Sequence, residues 1–209
     1  VQRGVGTSVN GRGAFGATIN MRTLYQSTGP YTQLQASYGS FNTWNFAVGA
    51  GTGTGPGTTP GECPGTGTGR LFLPKGLAVD IRYAQNGTDG YIRNGYGGLR
   101  SLFTRVSWIR PDYTLKLYYI YGDQHTGITW EGIPRDMLAI DRRYNPAGEY
   151  TDSQGAVRYY PNESDNYTQH HLQLNHAQRF AKNISWSNTL HVTKGDGYYE
   201  NYKQKSSGN

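Results

Sequence analysis

The stretch 31-YTQLQASYGSFNTWNFAVGA-50 alternates in side-chain character on both sides of a short turn. Thr32, Leu34, Ala36 and Tyr38 share one face of the first half, and Tyr31, Gln33, Gln35 and Ser37 share the other. After Gly39-Ser40-Phe41-Asn42, Trp44, Phe46, Val48 and Ala50 oppose Thr43, Asn45, Ala47 and Gly49. Successive side chains of a strand point to opposite faces, so this pattern predicts two antiparallel strands joined by a tight turn.

The same period recurs downstream. Leu77, Val79, Ile81 and Tyr83 alternate with Asp80 and Arg82 in a strand spanning about 77–86. Leu102, Val106 and Trp108 alternate with Ser101, Arg105 and Ser107 over 100–110. Pro111-Asp112 supplies a turn, since proline presets φ and aspartate bonds its own backbone. Leu115, Leu117, Tyr119 and Tyr121 then alternate with Thr114, Lys116, Tyr118 and Ile120 over 113–121. Leu172 and Leu174 oppose His171, Gln173 and Asn175 over 166–179, and Trp186, Leu190 and Val192 oppose Ser185, Ser187, Thr189 and His191 over 184–193. With 31–38 and 43–51, that makes about seven strands. Between them lie a Gly/Thr/Pro insertion at 52–69, a loop at 87–98, a long polar and aromatic connection at 122–165, and a Tyr-rich tail.

Composition agrees. The 209 residues include 30 Gly and 18 Tyr, with 13% aromatic and only 16% charged residues. A mean hydropathy of −0.71 combined with so many aromatics excludes a disordered chain, which needs more charge and fewer aromatics. No apolar run is long enough for a transmembrane helix, but strands of about 9–11 residues cross a bilayer when tilted. One polar and one apolar face per strand, with aromatics near strand ends, is the pattern of a membrane barrel. Strands in a soluble sandwich average about five or six residues, shorter than most of these. The net charge of +6 comes from scattered Lys and Arg, so no nucleic-acid groove is expected. The single cysteine, Cys63, excludes an intrachain disulfide framework.

The opening segment, 1-VQRGVGTSVNGRGAFGATINMRT-23, sets Arg3, Gly4, Gly11, Gly13 and Gly16 among small residues ahead of alternating Ala17, Ile19 and Met21. This segment resembles the end of the plug domain of TonB-dependent outer-membrane receptors. Ser37 to Thr43 resembles that family's first barrel hairpin. Asp89-Gly90-Tyr91-Ile92-Arg93 and Gly195-Asp196-Gly197-Tyr198-Tyr199-Glu200 resemble sequences of its iron-complex and cobalamin-like branch. The chain departs from the pattern at Asn10, where an aromatic is usual, at Ala17, where a second glycine is common, and in the Gly/Thr insertion.

The resemblance implies that residues 1–23 end a plug and 24–209 begin a 22-stranded antiparallel transmembrane barrel, the chain being a fragment of a longer receptor. It implies energised uptake of a bulky nutrient (an iron-siderophore, haem or cobalamin) across a Gram-negative outer membrane. Implied partners are the TonB-ExbB-ExbD complex, outer-membrane lipid and a surface lipoprotein. The alternatives are a secreted all-β carbohydrate-binding or adhesion module and a passive porin-type channel.

No catalytic constellation stands out, and neither an enzyme nor a cofactor is expected. Neighbouring His170 and His171 point to opposite faces and cannot chelate one ion together. His171 and His191 share a face, but two histidines without a carboxylate make a poor metal site. Asp123 and His125 read as loop residues with local hydrogen bonds. Asp80, Arg82, Arg105 and Lys116 are expected inside the barrel, where charge meets water or plug partners; Arg3 and Arg12 are candidate partners for barrel carboxylates. Trp44, Trp108, Tyr119, Tyr121 and Trp186 read as lipid-facing or interfacial anchors. Substrate contacts are expected from the extracellular loops: Tyr91, Arg93, Trp130, Tyr159 and Tyr160, since Arg and aromatics combine contact area with cation–π recognition.

Overall fold

The computed structural model describes residues 2–3, 17–18, 29–53 and 74–202. The protein is all-β. Two short strands, β1 (Gln2–Arg3) and β2 (Ala17–Thr18), pair with each other. Seven long strands then form one antiparallel sheet: β3 (Tyr31–Gly39), β4 (Thr43–Gly53), β5 (Leu77–Thr88), β6 (Gly97–Arg110), β7 (Tyr113–Gly127), β10 (Ser164–Ala181) and β11 (Ile184–Glu200). Between β7 and β10 lie one turn of helix, α1 (Met137–Ile140), and a small hairpin of β8 (Glu149–Thr151) and β9 (Val157–Tyr159). The sheet order is that of the chain, a meander with β3 and β11 as its edges. The sheet does not close into a barrel on itself.

Strands run further than periodicity alone indicates. β7 continues through Gly122 to Gly127, and β11 through the glycines at 195 and 197 to Glu200. Both extensions were expected to be loops. Glycine weakens the strand signal of a sequence, yet here each glycine is held by a neighbour: Gly122 faces Ser101 and Gln169, while Gly195 and Gly197 face Gln169 and Tyr167. The 122–165 connection therefore shrinks to 128–163 and gains structure of its own. Asp123 and His125 accordingly lie in a strand, not a loop.

The first hairpin turns on Phe41 and Asn42, both at positive φ (57° and 51°), with Thr43 N–H donating to Ser40 O at 3.1 Å. Two left-handed central residues are what a type I′ hairpin turn requires. A phenylalanine is an uncommon residue there. Its ring packs edge-on against Tyr91 at 5.5 Å, and its carbonyl accepts the Asp89 N–H at 2.9 Å.

Register decides the faces. Directly paired residues of antiparallel strands lie on the same face, so the pairing can be followed across the sheet. One rung reads Leu77, Trp108, Leu115, His176, Asn188; the next Thr52, Val79, Val106, Leu117, Leu174, Leu190; the next Thr32, Ala50, Ile81, Thr104, Tyr119, Leu172, Val192. All seven apolar sets of the sequence fall on one face. No layer covers it: among the described residues every contact between elements joins hydrogen-bonded neighbours. Leu34 is 69% exposed and Val192 69%, whereas among the described residues the buried apolar side chains are only Ala47, Ala78, Ile128 and Ala147.

The apolar face carries charge only near the strand ends. On β6 it runs from Arg110 to Arg100 with no Asp, Glu, Lys or Arg between. The other strands place Asp123, Lys194, Asp196 and Glu200 toward the end bearing the long connections. The opposite, polar face carries Asp80, Arg82, Arg105 and Lys116 at the same heights. Ten residues of strand span ~33 Å, or ~23 Å of height at a tilt near 45°, close to the ~25 Å apolar band of outer-membrane barrels.

Aromatic residues border that band. At its turn end Trp108, Tyr113, His176 and Trp186 form a continuous row over four strands, with ring centroids 5.7, 5.4 and 5.9 Å apart. The Arg110 guanidinium covers the Trp108 ring at 5.1 Å. Trp108 and Trp186 lie on the apolar face at the end bearing the 111–112 and 182–183 turns. Tyr119 and Tyr121 border the other end around His170, whose Nδ1 lies 2.9 Å from the Tyr119 hydroxyl. Trp44 is on the same face, next to the first turn.

Candidate functional site

At the loop end of the sheet, the 89–96 loop and the 128–163 connection fold onto each other. Asn145, 2% exposed, holds the junction. Its Nδ2 donates to Arg93 O and to Ile128 O, both at 2.8 Å, and its Oδ1 accepts the Ala147 N–H at 3.1 Å. Asn94 makes the parallel link, its Nδ2 donating to Glu163 O at 2.8 Å. Glu163 is fully buried, and its Oε1 accepts the Tyr202 N–H just beyond β11. Backbone groups that neither strand nor helix can pair are satisfied by these two amides, which lets a long connection pack as a cap.

Arg93 and Tyr159, both expected to be substrate contacts, come together in that cap. The guanidinium sits 4.0 Å from the centre of the Tyr159 ring, and Nη2 is 3.7 Å from Asp141 Oδ2. The Tyr159 hydroxyl donates to Glu149 Oε2 at 2.9 Å. Burial, then the Glu149 carboxylate, push the Tyr159 hydroxyl above its usual pKa. Tyr144 is raised mainly by its hydrogen bond to Glu149. Tyr91 is tied in through its carbonyl, which accepts from Arg143 Nε at 2.8 Å. Arg93, Asp141 and Arg143 line a cavity of about 310 Å³.

Trp130 and Tyr160 do not join this group. Trp130 packs edge-on against Tyr199 at 6.1 Å, and Tyr160 stacks on Tyr202 at 5.2 Å. Both line the seam between the cap and the end of β11. Arg143, Asn145, Asn94 and Glu149 are missing from the sequence expectation. Asn94-Gly95 and Asn145-Pro146 were legible as turn signals, but nothing in the sequence paired them across fifty residues.

The expected interior charges meet on the polar face. Arg105 donates from Nε and Nη2 to Asp80 Oδ2 at 2.9 and 2.8 Å, and the Tyr31 hydroxyl donates to Asp80 Oδ1 at 3.1 Å. Arg82 and Lys116 share the face but not the cluster. His170 and His171 do point to opposite faces, and His171 and His191 do share one, their rings stacked 6.0 Å apart. Both ring nitrogens of His171 are engaged, by Thr193 and Gln173. No three His, Cys, Asp or Glu side chains converge among the described residues. Asp123 accepts from Thr168, and His125 bonds Asn166. Arg3 is described only as a strand partner of Ala17, while Gly4, Gly11, Arg12, Gly13, Gly16 and Cys63 lie outside the described residues.

A larger depression, about 440 Å³, lies on the polar face below the cap. Three rungs shape it: Asn86, Leu99, Gln124, Tyr167 in one, Ala84, Ser101, Gly122, Gln169 in the next, and Ile120 with His171 in the third. Small residues at 84, 101 and 122 lower the floor between larger neighbours. No family model matches this chain, and no curated protein matches it.

Proposed function

We propose that this chain is part of the wall of a TonB-dependent outer-membrane transporter, which takes up a bulky nutrient using energy delivered from the inner membrane. The observation that carries the reading is the face segregation of charge. An exposed apolar face holds no Asp, Glu, Lys or Arg across a band of membrane height, while the other face of the same strands carries Asp80, Arg82, Arg105 and Lys116. Lysine or arginine facing lipid at mid-depth costs about 2–4 kcal/mol, and facing an aqueous or protein-filled interior costs little.

Among the described residues β3 and β11 have no outer partner, which supports a larger barrel, because a spanning sheet leaves no backbone group unbonded in lipid. Short turns at 111–112 and 182–183 mark the periplasmic side, and the folded cap over 128–163 marks the extracellular side, in line with outer-membrane barrels. The resemblance of residues 1–23 to a plug terminus selects an energised transporter over a passive pore. Cargo is met first at the cap, around Arg93, Arg143 and Tyr159. A soluble sandwich requires a second layer over Leu34, Leu172 and Val192, and none covers them among the described residues.

The test is uptake by intact cells making the whole receptor. The protein fractionates with the outer membrane and migrates faster in electrophoresis unheated than heated. Nutrient accumulation stops on adding a protonophore or deleting the energising complex. A receptor whose cargo equilibrates passively without that complex sinks the reading.

A further inference from the structure

The depression on the polar face has a chemistry of its own. Tyr167 forms one wall. It is 42% exposed, and its ring lies over the two glycines opposite on β11. A Cβ at Gly195 would collide with the Tyr167 hydroxyl, and one at Gly197 would sit 2.7 Å from Cδ2. Glycine at both positions lets the ring lie down against the sheet and present its other surface to the cavity.

Four uncharged polar side chains line the same space: Asn86, Ser101, Gln124 and Gln169. None of them, nor the Tyr167 hydroxyl, has a side-chain partner among the described residues. His171 also lines the space, and its two ring nitrogens are already engaged by Thr193 and Gln173. Register places Arg100 and Asp123, which border the pocket, on the other face of the sheet. The nearest charges on its own face are Asp165 and Arg82, the latter on the rung of Ile120 and His171, and neither lines the pocket.

The floor is kept open. Gly122 has no positive φ, and a Cβ there would meet nothing within 4 Å. Neither backbone conformation nor packing requires a glycine at that position, and any side chain would fill the depression.

We infer that this pocket binds a neutral, polyhydroxylated ligand, a saccharide unit by its chemistry. Each amide is both donor and acceptor, as is each sugar hydroxyl, so the two sets pair without a net charge on either side. The C–H face of a pyranose ring carries slight positive charge and packs on the negative face of an aromatic ring. No Lys or Arg on the pocket's own face lines it to meet an anionic iron chelate. The location inside the barrel wall rests on the transporter reading; the ligand class does not.

Calorimetric titration of the whole barrel in detergent tests this, using a panel of neutral oligosaccharides (α-glucan, β-glucan, xylan and mannan fragments) and ferric citrate. The expected result is saturable binding of at least one neutral oligosaccharide. Gly122→Phe, which blocks the floor, and Tyr167→Ala, which removes the platform, each weaken it at least tenfold. Ser187→Phe, an equal insertion on the same face at the turn end, leaves it unchanged. Heat-modifiable migration of every variant reports folding. No saturable binding by any oligosaccharide, binding indifferent to both pocket variants, or ferric citrate binding that Gly122→Phe abolishes would each overturn the inference. A wild-type protein that binds the sugar but fractionates outside the outer membrane defeats the transporter reading and leaves the pocket standing.

Discussion

Arg105 reaches Asp80 through two nitrogens, Nε and Nη2, both within 2.9 Å of the same carboxylate oxygen, and the two side chains are only 7% and 5% exposed. The pair is directly cross-strand on β5 and β6, on the polar face. One residue along, Ile81 and Val106 stand on the other face, Ile81 48% exposed. The same pair of strands thus buries charge on one side and bares apolar surface on the other.

Asp80→Ala leaves a buried guanidinium without its carboxylate. Breaking a pair of this kind costs about 3–5 kcal/mol, whereas replacing both partners by apolar residues of similar size is close to neutral. Urea unfolding of the refolded barrel in detergent should show Asp80→Ala strongly destabilised and Asp80→Leu/Arg105→Met near wild type. Equal destabilisation of single and double variants would contradict the assignment.

In the cap, Asn145 matters more than Arg93. Asn145→Ala takes the amide donor from the part-buried Arg93 carbonyl, leaves Ile128 O only its longer bond from Asn94, and frees the Ala147 N–H, a loss of about 1–3 kcal/mol. Arg93→Ala removes a part-exposed ion pair and a cation–π contact, each worth roughly 1 kcal/mol or less. Limited proteolysis should therefore cut residues 128–163 faster in Asn145→Ala than in Arg93→Ala. The reverse order would mean that Arg93, not the amide, holds the cap.

Alkali should loosen the same region. Tyr159 and Tyr144 both have hydroxyls raised above the ordinary value, the first mainly by burial and the second mainly by its bond to Glu149. For a group raised on folding, the stabilisation is complete below the unfolded value, near pH 10, and is lost as pH rises through the folded value. An absorbance titration of tyrosinate should show late-titrating groups, with Tyr144→Phe and Tyr159→Phe each removing one and others, Tyr96 among them, remaining. Titration of both residues at the ordinary value would remove this account of the cap.

The strands were legible because a period of two survives in every one of them, from Leu34 to Val192. Strand ends were not, since Gly122, Gly195 and Gly197 look like punctuation and in fact make room for Tyr167 or leave a floor open. Arg93 and Tyr159 could be picked out by residue type. Their partners Asn145 and Glu149 could not: Asn145 reaches Arg93 across some fifty residues, and Glu149 meets Tyr159 through a hairpin that no periodicity announced. The inner pocket was equally invisible: its rungs draw one residue from each of several strands, which only the register aligns.

Everything functional rests on which face of the sheet meets lipid. Site-directed spin labelling along β10 reads this directly, with Cys63 replaced by serine and single cysteines placed at 171 to 175 in the barrel reconstituted in liposomes. Labels at Leu172 and Leu174 should relax with dissolved oxygen and be shielded from an aqueous nickel chelate. Labels at His171, Gln173 and Asn175 should show the opposite preference, giving a period of two in the ratio. Equal nickel access at Leu172 and Gln173 would mean that water bathes both faces, and the membrane wall would be refuted.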